Sequence, residues 1–94
     1  MGEHEVNCTV LVDEKRKEQA ERAVITFFDE ALEDYEDVVL GLKTINKVTT
    51  EGRRNKVEVT LVVEGNNFNE AKESSFRYLN EVREYIGGLV IGFK

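Results

Sequence analysis

His4 and Cys8 are the only histidine and the only cysteine in the chain, and a Cys-His pair is the first arrangement to consider for nucleophilic chemistry. Such a pair works when the imidazole takes the thiol proton and a third group orients the ring. No orienting group accompanies them, and His4 falls in residues 1–4, which the pattern leaves as a frayed N-terminus. Cys8 reads as a core residue. A single cysteine excludes an internal disulfide and a CxxC metal or redox site. Ser74 and Ser75 sit in a helical stretch with no nearby histidine and no nucleophile-elbow context. Gly87, Gly88 and Gly92 follow a helix and enter a strand, the reverse of a phosphate-binding loop, which follows a strand and opens a helix. Asn7-Cys8-Thr9 matches the glycosylation sequon and, with no signal peptide ahead of it, is expected to stay silent. These residues define no catalytic, cofactor or metal site, so the expectation is a protein that is not an enzyme.

Charge is the stronger signal. The chain has 94 residues, with 13 Lys plus Arg against 19 Asp plus Glu, a formal charge of −6. That sign opposes non-specific attraction to nucleic acid or to an anionic membrane surface. Between residues 29 and 42 stand Asp29, Glu30, Glu33, Asp34, Glu36 and Asp37 with no basic residue, whereas between 43 and 56 stand Lys43, Lys47, Arg53, Arg54 and Lys56 against Glu51 alone. The acidic set Glu30, Glu33, Asp34 and Asp37 is a candidate docking surface for a basic partner, with a solvated helix face as the alternative. Carboxylates without a loop of EF-hand spacing are a weak cation signal. Arg53 and Arg54 could grip phosphates or meet the acidic face of a second copy, and basic residues also blunt exposed strand edges. Phe76, off the centre of its helical stripe, is a candidate interface anchor.

The elements that must position these residues follow from periodicity. Val6, Cys8, Val10 and Val12 alternate with Asn7, Thr9 and Leu11, which predicts a half-buried strand over residues 5–12. Behind Asp13, a plausible N-cap, apolar residues from Ala20 to Val39 recur at spacings of three and four, a long amphipathic helix ending before Gly41. Leu42 to Thr50 is strand-like, but Ile45 and Val48 fall on opposite faces unless a bulge intervenes. Glu51 to Asn55 reads as a hairpin loop, and Val57, Val59, Leu61 and Val63 mark a clear strand. Asn67 with Glu70 three residues later predicts a helix start. The second helix has a stripe of Phe68, Ala71, Ser75, Tyr78, Leu79, Val82 and Ile86 and stops at Gly87-Gly88, before a short strand over Leu89–Phe93.

The order β-α-β-β-α-β predicts a single α+β domain over residues 1–94, a ferredoxin-like sandwich with both helices on one face of an antiparallel sheet of order 4-1-3-2. Its open face would carry Asn7, Thr9, Leu11, Glu58, Thr60, Val62 and Glu64. None is aromatic, which disfavours the base-stacking platform of RNA-recognition domains. No segment approaches the length of about 20 apolar residues needed to span a bilayer, so the chain is expected to be soluble and cytoplasmic.

Lys56 to Val82, notably Ala71-Lys72-Glu73-Ser74-Ser75-Phe76-Arg77-Tyr78-Leu79, resembles the small dimerisation subunit of the KEOPS tRNA-modifying complex, whose helix sets a basic residue and small polar residues ahead of an aromatic-Leu pair. The resemblance covers under a third of the chain, and the final strand and the acidic end of the first helix depart from it. It implies a non-catalytic accessory subunit that dimerises and docks an enzyme. The function expected from the residues themselves is a non-enzymatic interaction module that self-associates and binds a protein partner. The alternative is a nucleic-acid-binding accessory protein using residues 47–56.

Overall fold

A computed structural model describes residues 2–94. Six elements follow one another as β1 (Gly2–Val12), α1 (Lys17–Asp34), β2 (Val39–Glu51), β3 (Arg54–Gly65), α2 (Phe68–Arg83) and β4 (Val90–Phe93). The four strands form one antiparallel sheet of order β2-β3-β1-β4, which is the expected order read from the other edge. The element order is that of the split β-α-β pattern.

The core lies between the sheet and the helices. Val6, Cys8, Val10 and Val12 from β1 and Val57, Val59, Leu61 and Val63 from β3 turn one face inward, as period-2 alternation requires. Against them pack Ala20, Val24, Phe27, Phe28 and Ala31 of α1 and Ala71, Ser75, Tyr78, Leu79 and Val82 of α2. Phe27 meets Phe28 edge to face and also reaches Phe93 of β4, with ring centroids 5.5 and 5.4 Å apart. Two tight features fix the frame. Gly65 lets α2 start hard against β3, since a Cβ there would sit 3.0 Å from the Ala71 Cβ. Gly52, at φ 62°, turns the β2–β3 hairpin between Glu51 and Arg54.

Several boundaries differ from the pattern. The frayed N-terminus expected over residues 1–4 is instead strand from Gly2, because β3 runs on to Gly65 and supplies partners down to the Gly2–Gly65 pair; Met1 lies outside the described residues. Asp13 does not cap α1, whose N-cap is Arg16 with no side-chain hydrogen bond. α1 also stops at Asp34 rather than near Gly41. Val38 lies in the turn that follows it and Val39 opens β2, and the Glu64 N–H donates to the Val38 carbonyl at 2.8 Å. Phe68, placed in the helical stripe, is the first residue of α2 and is 49% exposed.

β2 resolves the question of alternation. Its register against β3 shifts at Leu40, Lys43 and Asn46, so three bulges occur in one strand. Each inserts one residue, and the inward positions become Val39, Leu42, Ile45 and Val48, spaced by three. The Asn67 cap forms as expected, its side-chain oxygen accepting the Glu70 N–H at 2.9 Å.

Candidate functional site

The acidic run sits on the last turn of α1 and the turn that leaves it. Glu30, Glu33 and Asp34 are exposed on the helix, and Glu36 and Asp37 are exposed on the exit turn. The last turn of α1 has no basic residue, so these carboxylates gather at the negative end of the helix dipole. Among the described residues the ion pairs are Lys43–Glu5 at 2.8 Å, Lys56–Glu51 at 2.9 Å and Arg54–Asp13 at 3.7 Å, none of which involves the acidic run.

The basic hairpin lies at the other end of the molecule. Val39 pairs with Val63 where the acidic turn enters the sheet, and Glu51 pairs with Arg54 at the hairpin. Those positions are nine residues apart on β3, so about 30 Å separates them. The acidic run and the hairpin therefore do not pair within one chain. Arg53 is exposed, and Arg54 reaches only Asp13 in an exposed pair. Arg54, Lys56 and Lys94 share a surface hollow with Glu51 and Leu11.

An aromatic feature adjoins the acidic end, and periodicity did not single it out. Tyr35 caps α1, and its ring stacks on that of Tyr85 at 5.8 Å and 18°. Tyr85 is 65% exposed and Tyr35 37%. Together with Glu36, Asp37 and Glu81 they line a cleft of about 210 Å³. Tyr78 forms its floor, with its hydroxyl directed at the carbonyls of Ala31 and Tyr35. Burial, and then the nearby Asp37 carboxylate, raise the Tyr78 pKa, so the hydroxyl stays a donor. Tyr35 falls on the three-and-four spacing of the first helix, but α1 ends at Asp34 and Tyr35 turns outward.

On the open face of the sheet Asn7, Thr9, Leu11, Glu58, Thr60, Val62 and Glu64 are exposed or half-buried, as alternation predicts. A polar chain crosses this face. Thr44 donates to Asn46, Asn46 to Thr60 and Thr60 to Asn7, at 2.7, 2.9 and 3.0 Å. Phe76 is half-buried, packed on the edge of the core.

His4 and Cys8 do not form a pair. They lie four residues apart on one strand, hence about 13 Å. The His4 ring sits 3.2 Å from the Gly65 carbonyl, and Cys8 is buried, its thiol pKa pushed up to about 12 by desolvation. No helix among the described residues is long and apolar enough to cross a membrane. No family model matches this sequence, and no curated protein and no solved structure matches it.

Proposed function

We propose that the chain is a non-enzymatic interaction module, a small ferredoxin-like domain that self-associates and docks a protein partner through its charged ends. The observation that supports this reading best is the segregation of charge. Glu30, Glu33, Asp34, Glu36 and Asp37 stand at one end without ionic partners among the described residues, and Arg53 and Arg54 stand at the other. Ends this far apart within one chain are free to meet between chains, and such contacts are screened by salt.

Sedimentation at low and high ionic strength tests it. The parent should associate at low salt and fall apart as salt rises. Glu33→Lys with Asp34→Lys should weaken that association, as should Arg53→Glu with Arg54→Glu, and the two reversed variants should associate when mixed. A parent that stays monomeric, together with partner affinity unchanged by the reversal at Glu33 and Asp34, would leave the acidic end as solvation only.

A second reading rests on the grouping of Arg53, Arg54, Lys47 and Lys56 about the hairpin. Nucleic-acid binding there would fall steeply with salt and would be lost with Arg53→Ala and Arg54→Ala. The absence of aromatics from the open-face positions of β1 and β3 weighs against it.

A further inference from the structure

β1 has a long uncovered edge. Thr9 and Lys94 exchange two backbone hydrogen bonds of 2.9 Å, and this is the last rung between β1 and β4. In a strand, backbone groups alternate from one edge to the other. Since the Thr9 N–H and C=O point toward β4, those of Asn7, Glu5 and Glu3 point the same way, beyond its end. They meet no backbone partner among the described residues. The edge from Gly2 to Cys8 is about 20 Å long. It is also regular, because the β1–β3 register runs from Gly2 to Val12 without a shift. The opposite sheet edge differs: β2 is broken by three bulges and carries Lys43 and Lys47, devices that block strand addition.

The side chains beside the uncovered edge specify what fits. Glu3 and Glu5 lie exposed on the open face, Glu64 pairs with Glu3 across the ladder, and only Glu5 has a cation, Lys43. Below the sheet, Tyr78 reaches the end of α1. Phe76, two residues earlier and so about 160° around the helix, lies on the flank of α2 that faces away from α1. Because α1 packs chiefly on β2 whereas α2 packs on β3, β1 and β4, that flank lies on the β4 side of the sheet, the side of this edge. Lys72 is one turn before Phe76 on the same flank and is exposed, which disfavours further cations in the lower row. A second copy of β1 is a poor occupant. Antiparallel pairing about Glu5 would set Glu5 against Glu5, and like charges directly opposite are destabilising.

We propose that the free half of β1 accepts an extended segment of a partner protein, with alternating basic and apolar side chains, as an added strand. Its backbone pairs with Glu3, Glu5 and Asn7, its basic row meets Glu3 and Glu5 on the open face, and its apolar row rests against Phe76. This is strand addition, in which main-chain hydrogen bonds supply affinity and alternate side chains supply specificity. The site is separate from the acidic run of α1.

The test uses the full chain and an acetylated, amidated heptapeptide of alternating lysine and valine, with a glutamate-valine peptide as control. Amide exchange is read residue by residue by NMR. Glu3, Glu5 and Asn7 should exchange rapidly in the free protein, and the lysine peptide should slow all three at least tenfold while the glutamate peptide does not. Glu5→Pro removes one outward-facing donor and keeps the bonds that even-numbered residues make to β3, so it should abolish the protection. Glu3→Lys with Glu5→Lys provides a second variant should the proline disturb folding; it should lose the lysine peptide and gain the glutamate one. The double reversal at Glu33 and Asp34 should leave the protection intact, which separates this site from the acidic end. Protection elsewhere, or none, overturns the proposal. So does protection of Glu3, Glu5 and Asn7 that appears without peptide and fades on dilution, which would assign the edge to a second copy.

Discussion

The Tyr78 hydroxyl donates to the carbonyl of Tyr35 across 2.6 Å, with the Ala31 carbonyl 3.0 Å away as a second acceptor. One side chain of α2 thereby supplies a donor to the Tyr35 carbonyl, which the end of α1 leaves without a helical partner, while the Ala31 carbonyl already accepts the Tyr35 N–H at 2.9 Å. Tyr78→Phe keeps the ring and removes the donor. It should cost about 1 kcal/mol in urea unfolding, because the part-buried Tyr35 carbonyl loses its donor. It should also speed amide exchange around Tyr35 while core strands keep their protection. Equal loosening everywhere would mean that the hydroxyl has no local role.

Cys8 gives a prediction with a defined pH window. Its thiol is raised from 9.0 to about 12, chiefly by desolvation and partly offset by a backbone hydrogen bond from Lys94. The unfolded chain loses this proton near 9.0, whereas the folded chain holds it to about 12. Above the first value the folded state binds more protons, so stability falls as pH rises across that interval. The contribution is complete below the unfolded value and gone above the folded one. Cys8→Val should flatten this part of the profile, and the raised Tyr78 pKa adds a decline of the same sign. At neutral pH the folded thiol should resist alkylation, with labelling following global unfolding. Rapid labelling of the native protein would contradict its burial.

How much of this was legible in the sequence depends on the period each element uses. β1 and β3 announced themselves because Val6 to Val12 and Val57 to Val63 keep strict alternation, and Asn67 with Glu70 announced the start of α2. β2 was legible as a strand over Leu42 to Thr50 only if a bulge intervened, because bulges at Leu40, Lys43 and Asn46 give Val39, Leu42, Ile45 and Val48 a spacing that belongs to neither helix nor simple strand. The charge runs could be read directly, but their distance apart is a product of the antiparallel topology. The free edge of β1 is hidden in the sequence because clear alternation starts only at Glu5, whereas the strand begins at Gly2. Its one sequence trace is the mismatch between a long first strand and a last strand of only four residues.

Asn55 is a polar residue at the boundary between β3 and the hairpin, and it is fully buried. Its side-chain oxygen accepts from Thr50 at 2.7 Å, and its amide donates to the Glu14 carbonyl at 2.6 Å, tying the loop after β1 to the sheet. Asn55→Ala should destabilise by about 1–3 kcal/mol, since it strands the Glu14 carbonyl. Asn55→Asp should be worse, because a carboxylate cannot donate to that carbonyl and would face it oxygen to oxygen. A lower urea midpoint at an unchanged slope would locate the effect in folded-state stability.

Gly65 tests whether the start of α2 is rigidly seated. A methyl group there would lie 3.0 Å from the Ala71 Cβ and 3.1 Å from both the Ala71 Cα and backbone N. Two of those three atoms are main chain in the first turn of α2, and that turn is anchored by the Asn67 cap and the Ala71 N–H bond to the Asn67 carbonyl at 3.0 Å. The clash cannot be relieved by a side-chain rotation, so Gly65→Ala must shift the helix start or the end of β3. Overpacking of this kind costs about 1–3 kcal/mol. Replacing Ala71 by Gly in the same chain removes the Cβ partner but leaves the main-chain contacts, so it should recover only part of the loss. Full recovery would show that the main chain of α2 gives way easily, and that side-chain contact alone sets its distance from the sheet.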